Sequence, residues 1–229
     1  MSGSDSFAAC EETVRRHDAD RYYATLFAPQ DKRPHLFALY AFYRELAHAV
    51  EAAREPMVLD IRLAWWRETI GDARAGRPRE HHVARALASA LAAHDLPQAV
   101  FARMIEARAS EAGGMAFAGA AEAEEHADAT SGALMRMACR VLGEDADEAA
   151  RAAGIAYALA GRTQGLYRNV DTARIARWHL DAVRKLEISR TILPGMLPAA
   201  LVPLYLRRRN PPVWRRQLSL FLAARRGRI

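Results

Sequence analysis

Five side chains near residue 40 have the types and the spacing of a binding site. Arg44, His48 and Glu51 supply a cation, an imidazole and a carboxylate, while Phe37 and Tyr40 supply two aromatic rings. Successive members are three or four positions apart, so on an α-helix they occupy one narrow sector. The pattern predicts either the lining of a cavity or the edge at which a core helix meets water.

The segment that carries these residues has the apolar period of a buried helix. Pro34 suits a first helical turn, and Pro56 disfavours the α conformation at the residue before it. We therefore expect one helix from about residue 34 to near residue 53 and a second that begins at Pro56. The apolar stripe of the first helix comprises Phe37, Tyr40, Tyr43, Leu46 and Val50.

Several longer segments are similar to those of one enzyme family and occur in its order. LFAPQDKRPHLFALYAFYREL (26–46) and EPMVLDIRLAWWRETI (55–70) resemble the opening of squalene/phytoene synthases, all-α enzymes that join two prenyl diphosphates head to head. Further matches are TSGALMRMA (130–138), AGIAYALAG (153–161) and LPAALVPLYLRR (197–208). The resemblance implies an all-α, single-domain, isoprenoid-synthase-like helical bundle around a central cavity.

The resemblance also implies two aspartate-rich helical turns that hold Mg²⁺ against a diphosphate. The first turn aligns with residues 47–51, where only Glu51 carries a negative charge at neutral pH. The second aligns with positions that contain no aspartate, namely Ala158, Gly161, Gly165 and Asn169. We therefore predict no catalytic residue and no metal ligand, and we expect no cofactor, or Mg²⁺ if the protein is active.

A second group of candidate substrate-binding residues joins the five near residue 40. If the helix that begins after residue 143 continues to residue 169, Tyr157, Gly161, Gly165 and Asn169 lie near one face. The small residues of this stretch permit close approach by a ligand or by another helix. Close helix packing is the default explanation in soluble proteins.

Length and composition favour one domain. A chain of 229 residues, 51% of them hydrophobic, is long enough for a single large core over residues 1–229. No uninterrupted apolar run is long enough to span a bilayer, and no apolar signal segment is visible among the first twenty residues. These features predict a cytoplasmic protein, with peripheral attachment to the inner membrane as a further option.

The C-terminal segment, about residues 189–229, is strongly basic. It contains nine arginines and no acidic residue, and the arginines are interleaved with leucine, valine, tryptophan and phenylalanine. This composition predicts contact with an anionic membrane surface or an acidic protein partner rather than with nucleic acid. A terminal helix that packs on the domain with its arginines in solvent explains the pattern equally well.

Three interpretations of function follow. The preferred one is a catalytically degenerate homologue that binds an isoprenoid or other lipid, or assists assembly of a membrane (respiratory) complex. Some family members, including a branch that acts in respiratory complex I assembly, similarly lack aspartates of the two metal-binding motifs. The alternatives are an active prenyltransferase that uses Glu51 with Glu45 or Glu111 around Mg²⁺, and a structural partner protein whose cavity is filled by side chains.

Overall fold

A computed structural model describes residues 3–53 and 55–229, and helices account for all the regular structure of these residues. The α-helices are α1 (Gly3–His17), α2 (Ala19–Thr25), α3 (Arg33–Ala52), α4 (Pro56–Arg74), α5 (His82–Ala93), α6 (Gln98–Ala109), α7 (Ala120–Ala127), α8 (Ala133–Leu142), α9 (Asp147–Leu159), α10 (Thr172–Val183), α11 (Leu193–Met196), α12 (Val202–Arg207) and α13 (Val213–Arg226). Short 3₁₀ turns occur at Ala112–Gly114, Gly165–Tyr167 and Leu197–Leu201. The all-α expectation is confirmed.

Helix α3 is the central element of the bundle and ends where the sequence predicts. Pro34 lies in its first turn, and Glu55 is extended before Pro56 begins α4. The helix packs against α1, α5 and α8. At its core Phe42 meets Trp66 and Phe101 edge-on, with ring centroids 5.3 and 5.5 Å apart. This packing fixes the orientation of the polar sector that begins at Arg44.

Helices α7 and α8 are joined by a π-helical turn at Asp128–Gly132. Such turns are rare and often lie beside functional sites. Gly132 at its end touches α9, because a Cβ built on Gly154 would lie 2.4 Å from the Cα of Gly132. Only glycine allows this approach of two backbones. The contact fixes where Thr130 and Ser131 lie relative to α9.

Helix α9 ends at Leu159, so its expected continuation to residue 169 is wrong. Gly161 and Gly165 adopt φ values of +74° and +63°, which glycine tolerates and which no right-handed helix contains. The Thr172 hydroxyl donates a hydrogen bond of 2.5 Å to the Arg162 carbonyl and ties this loop to α10. Gly161, Gly165 and Asn169 therefore lie in a loop and do not share a helical face with Tyr157.

The basic C-terminal segment folds back onto the bundle. Helix α13 packs against α2 and the Leu197–Leu201 turn, with Leu220 and Ala223 buried. Arg216 Nη1 donates a hydrogen bond of 2.6 Å to Oδ1 of the buried Asp20. Within residues 3–53 and 55–229, no helix combines the length and apolar character that crossing a bilayer requires.

Candidate functional site

A cavity of about 560 Å³ opens between α2, α3, α6, the π-turn, α9 and the loop after α9. Four of the predicted binding residues line it: Arg44 and Glu51 on α3, Tyr157 on α9, and Gly161 in the loop. The structure thus brings two residues from each predicted group to one cavity. The α3 helix contributes its polar face, whereas the loop contributes main chain at a left-handed glycine.

The other predicted residues lie elsewhere. Phe37 and Tyr40 are buried in the core beside α2, where Phe37 stacks on Tyr22 with ring centroids 5.8 Å apart. His48, Gly165 and Asn169 are exposed and do not contribute to the cavity lining. The five predicted residues of α3 therefore divide into two that are buried, two that line the cavity and one, His48, that is exposed.

Arg44 and Glu51 form a two-point ion pair at the cavity rim. Arg44 Nη1 donates to Glu51 Oε1 at 2.9 Å, and Nη2 donates to Oε2 at 2.5 Å. The hydrogen bonds from Arg44 hold the pKa of Glu51 below its ordinary value. The only acid of the aligned first motif is thus already neutralised by a side chain of the same helix.

A second arginine, Arg21, lies at the cavity floor and is almost completely buried. It donates to Asp18 Oδ2 at 2.6 Å and to Ser131 Oγ at 3.1 Å. Its guanidinium also lies 5.0 Å from the ring centroid of Tyr43 and 5.1 Å from that of Tyr157. Aromatic faces and one carboxylate together compensate the burial of this cation.

A third ion pair joins α6 to α7 through Glu111. Arg108 Nη1 donates to Glu111 Oε1 at 2.6 Å, and His126 Nε2 donates to the same oxygen at 2.9 Å. The other ring nitrogen of His126 forms a hydrogen bond of 3.0 Å with the Tyr167 hydroxyl. Burial raises the pKa of Glu111, but the His126 hydrogen bond and the Arg108 charge outweigh it and lower the pKa overall. Burial raises the pKa of Tyr167 to about 12.

Asp20, two residues beyond Asp18, holds the back of the site together. It accepts hydrogen bonds from the hydroxyls of Tyr157, at 2.9 Å, and Tyr205, and it also accepts from Arg216. Burial keeps the pKa of Tyr157 well above its ordinary value. One carboxylate thereby links α2, α9, α12 and α13, and it lies outside the cavity lining.

Comparison with known proteins identifies the family. A family model described as squalene/phytoene synthase matches residues 14–178, more than two thirds of the chain. The chain belongs to the squalene/phytoene synthase family. The resemblance inferred from the ordered sequence segments is confirmed.

Solved structures of the family share the fold. The chain superimposes on a dehydrosqualene synthase with a TM-score of 0.76 and 16% identity, covering 98% of this chain and 97% of that one. It superimposes on squalene synthase HpnC from Alicyclobacillus acidocaldarius with a TM-score of 0.65 and 20% identity, covering 97% and 94%. At these identities the likeness shows the fold alone.

Among curated proteins, similar relatives carry the name NADH dehydrogenase (ubiquinone) complex I, assembly factor 6. The Bos taurus protein is 30% identical over 142 residues, or 62% of this chain and 42% of the relative. The Homo sapiens protein is 29% identical over 141 residues, with the same coverage. A Drosophila melanogaster homolog is 30% identical over 173 residues, covering 68% and 52%. The chain spans less than half the length of these mammalian relatives.

The charged groups of the cavity do not fit the Mg²⁺ ions that the family's chemistry implies. Mg²⁺ requires near-octahedral oxygen ligands and usually takes one or two carboxylates. Three carboxylates line the cavity, and each accepts from an arginine at 2.5 to 2.6 Å. Across the part of the chain that the structure describes, no group of three or more histidine, cysteine, aspartate or glutamate side chains is arranged to hold a metal ion.

Sequence reasoning missed the pairs formed by Asp18 and Glu111 with Arg21 and Arg108. From the sequence, Glu111 is a candidate only as a metal ligand of an active enzyme, and neither arginine is a candidate binding residue. Each pair has a spacing of three residues, which is a common and weak signal. Their significance comes from burial beside the same cavity, which the spacing does not reveal.

Proposed function

We propose that this protein is a catalytically degenerate member of the squalene/phytoene synthase family that assists assembly of a membrane-bound respiratory complex. The observation that carries the proposal is that each carboxylate of the cavity lining is bound by an arginine. A carboxylate held in this way is a poor ligand for Mg²⁺, because metal binding would leave a partly buried arginine unpaired. The name shared by the curated relatives supports the assembly role.

The geometry does not favour an active prenyltransferase. Glu51 and Glu111 are committed to ion pairs, and Glu45 lies outside the cavity lining. The purely structural interpretation also lacks support, because it expects a filled cavity. The open volume of about 560 Å³ favours a protein that binds a ligand.

Attachment to an anionic membrane surface is the second part of the proposal, and α13 supplies its support. Trp214, Leu218 and Phe221 are spaced four and three residues apart on the outer face of the helix and are about half exposed. Arg215 lies beside this face, with its guanidinium 5.1 Å from the centroid of the Trp214 ring. An apolar stripe among arginines fits the interface of an anionic bilayer, and it suits peripheral attachment to the inner membrane.

A deletion in the organism that encodes the protein tests the assembly role. We expect the amount of assembled complex I on native gels to fall and to recover when the wild-type chain is restored. In parallel, the purified protein with farnesyl or geranylgeranyl diphosphate and Mg²⁺ should release no pyrophosphate and form no C30 or C40 hydrocarbon. Unchanged complex I would contradict the assembly role, whereas robust turnover would contradict the loss of catalysis.

A further inference from the structure

A second cavity, of about 540 Å³, lies between the end of α10, α12 and α13. It shares no lining residue with the cavity between α2, α3 and α9. Most of its lining side chains are apolar, including those of Leu186, Ile188, Leu204 and Leu222. These four residues are only partly buried, so solvent reaches the apolar lining. A concave apolar surface of this size suits a hydrocarbon chain.

The same lining contains three exposed arginines, Arg184, Arg226 and Arg228, and no acidic side chain. Within residues 3–53 and 55–229, Arg226 and Arg228 form no ion pair and no side-chain hydrogen bond. Arg184 lies 3.8 Å from Asp181, but both side chains are exposed and such a pair is weak. Even if Ile229 carries a terminal carboxylate, the lining keeps a net positive charge. The cavity therefore combines an apolar surface with cations that are free to bind an anion.

A turn after α13 brings the last of these arginines to the cavity. Gly227 has a φ of +72°, which glycine tolerates and which ends the helix. Ile229 beyond it packs against each of the three apolar clusters of the described chain, so this turn is anchored. Arg190 lies beside the turn, since its Nη2 would be 3.1 Å from a Cβ added to Gly227. A fourth guanidinium group thus lies next to Arg228.

We propose that this second cavity binds one molecule of an anionic phospholipid. An acyl chain lies against Leu186, Leu204 and Leu222, and the phosphate is bound by Arg226 and Arg228. The chain removes exposed apolar surface from water, while guanidinium groups match the geometry of phosphate oxygens and donate charge-assisted hydrogen bonds to them. An acidic peptide would satisfy the arginines but would leave the apolar lining in contact with water.

The lipid site is separate from the outer face of α13. Trp214, Leu218 and Phe221 do not line the second cavity. Leu222 follows Phe221 directly, so the cavity flanks the face that is proposed to meet the membrane. Binding of one lipid molecule requires no insertion of α13 into a bilayer. The inference therefore goes beyond the proposed membrane attachment and does not depend on it.

Equilibrium dialysis of the full chain against dihexanoyl phosphatidylglycerol, at concentrations at which this lipid is monomeric, tests the proposal. We expect saturable binding, and we expect R226Q/R228Q to bind at least about tenfold more weakly. S219F, which places a ring in the cavity, should weaken binding by a similar factor. The control R207Q/R208Q removes two exposed arginines outside the lining and should bind within about twofold of the wild type. Melting temperatures establish that all variants are folded.

Two further measurements separate the acyl chain from the head group and the cavity from the outer face of α13. Dibutyryl phosphatidylglycerol should bind at least about tenfold more weakly than the dihexanoyl lipid, because each of its chains is two methylene groups shorter. The triple variant W214S/L218S/F221S should bind the dihexanoyl lipid as the wild type does, since its three changes lie outside the cavity lining.

Unchanged affinity in either R226Q/R228Q or S219F would overturn the proposal. Equal affinity for the dibutyryl and dihexanoyl lipids would overturn it as well, because the chain would then make no contact with the lining. If hexaglutamate bound through Arg226 and Arg228 and the lipid did not bind, the cavity would be a site for an acidic protein segment instead.

Discussion

Arg44 donates two hydrogen bonds to Glu51 across two turns of α3, at 2.9 and 2.5 Å. Glu51 is the one acidic residue at the positions where the family resemblance places its first metal-binding motif. In this protein the Glu51 carboxylate forms an ion pair with Arg44 of the same helix, so it is not free to bind a cation in the cavity. The same arrangement recurs at Asp18 and Glu111, each of which is held by an arginine.

Glu51→Gln should change the stability of the protein only slightly. The substitution removes one charge of an ion pair whose carboxylate side chain is 55% exposed to water. The unfolding free energy should change by less than about 0.5 kcal/mol, because the pair is largely solvated. A loss of about 2 kcal/mol or more in urea unfolding would show instead that the pair stabilises the fold as a buried pair does.

Glu111→Gln should destabilise the protein at neutral pH by about 2 kcal/mol, because the buried Arg108 loses its charged partner. The folded-state pKa of Glu111 lies below 4.5, its ordinary value. Its stabilisation is therefore complete above about pH 4.5 and is lost as the pH falls through the folded-state value. Urea unfolding between pH 3 and 7 should show a smaller dependence on pH in E111Q than in the wild type.

The matched control for this prediction is Glu106→Gln. Glu106 is exposed on α6 and forms no ion pair among the described residues. Its replacement should change the unfolding free energy by less than about 0.5 kcal/mol. Equal effects of E106Q and E111Q would contradict the assigned role of the buried network.

Gly154→Ala should destabilise the fold by about 3 kcal/mol. The added methyl would lie 2.4 Å from the Gly132 Cα, and neither backbone can yield without moving α8 or α9. Gly119→Ala is the control, because no atom lies within 4 Å of its added methyl and the backbone there is extended. Denaturant midpoints measure both effects. Similar midpoints for the wild type and G154A would rule out the close backbone contact.

Replacing the outer apolar stripe of α13 should reduce attachment to membranes. The triple variant W214S/L218S/F221S should float with anionic vesicles at least about tenfold less than the wild type at low salt. The control M57S/I61S removes two exposed apolar side chains of α4 and should float normally. If the wild type floated equally well with zwitterionic and with anionic vesicles, an electrostatic contribution to attachment would be excluded. If the wild type bound an acidic protein and no vesicle, the outer face of α13 would be a protein-binding surface instead.

Local sequence signals predicted the helices near the site well. Pro34 and Pro56 mark the boundaries of α3 and α4, because each proline constrains the residue before it and favours a first helical turn. The period of apolar residues correctly placed Phe37, Tyr40 and Leu46 in the core, whereas Tyr43 and Val50 of the same stripe line the cavity. Both signals depend only on residues close together in the chain, so they can be read from the sequence alone.

The chemistry of the cavity was less accessible from the sequence. The end of α9 was missed because alanine and glycine continue a helix-compatible pattern past Leu159, and only the positive φ of Gly161 reveals the turn. The contacts of Arg21 and Tyr157 depend on residues more than one hundred positions apart. No local pattern in a sequence predicts contacts between residues so far apart in the chain. The sequence therefore showed which aspartates the two motifs lack, but it did not show how the remaining carboxylates pair with arginines.

Titration of the purified protein with Mg²⁺ tests most directly whether the cavity has lost its metal site. Because the carboxylates of the lining are bound by arginines, we predict no saturable Mg²⁺ binding. Stoichiometric Mg²⁺ binding that E51Q or E111Q abolishes would contradict this account.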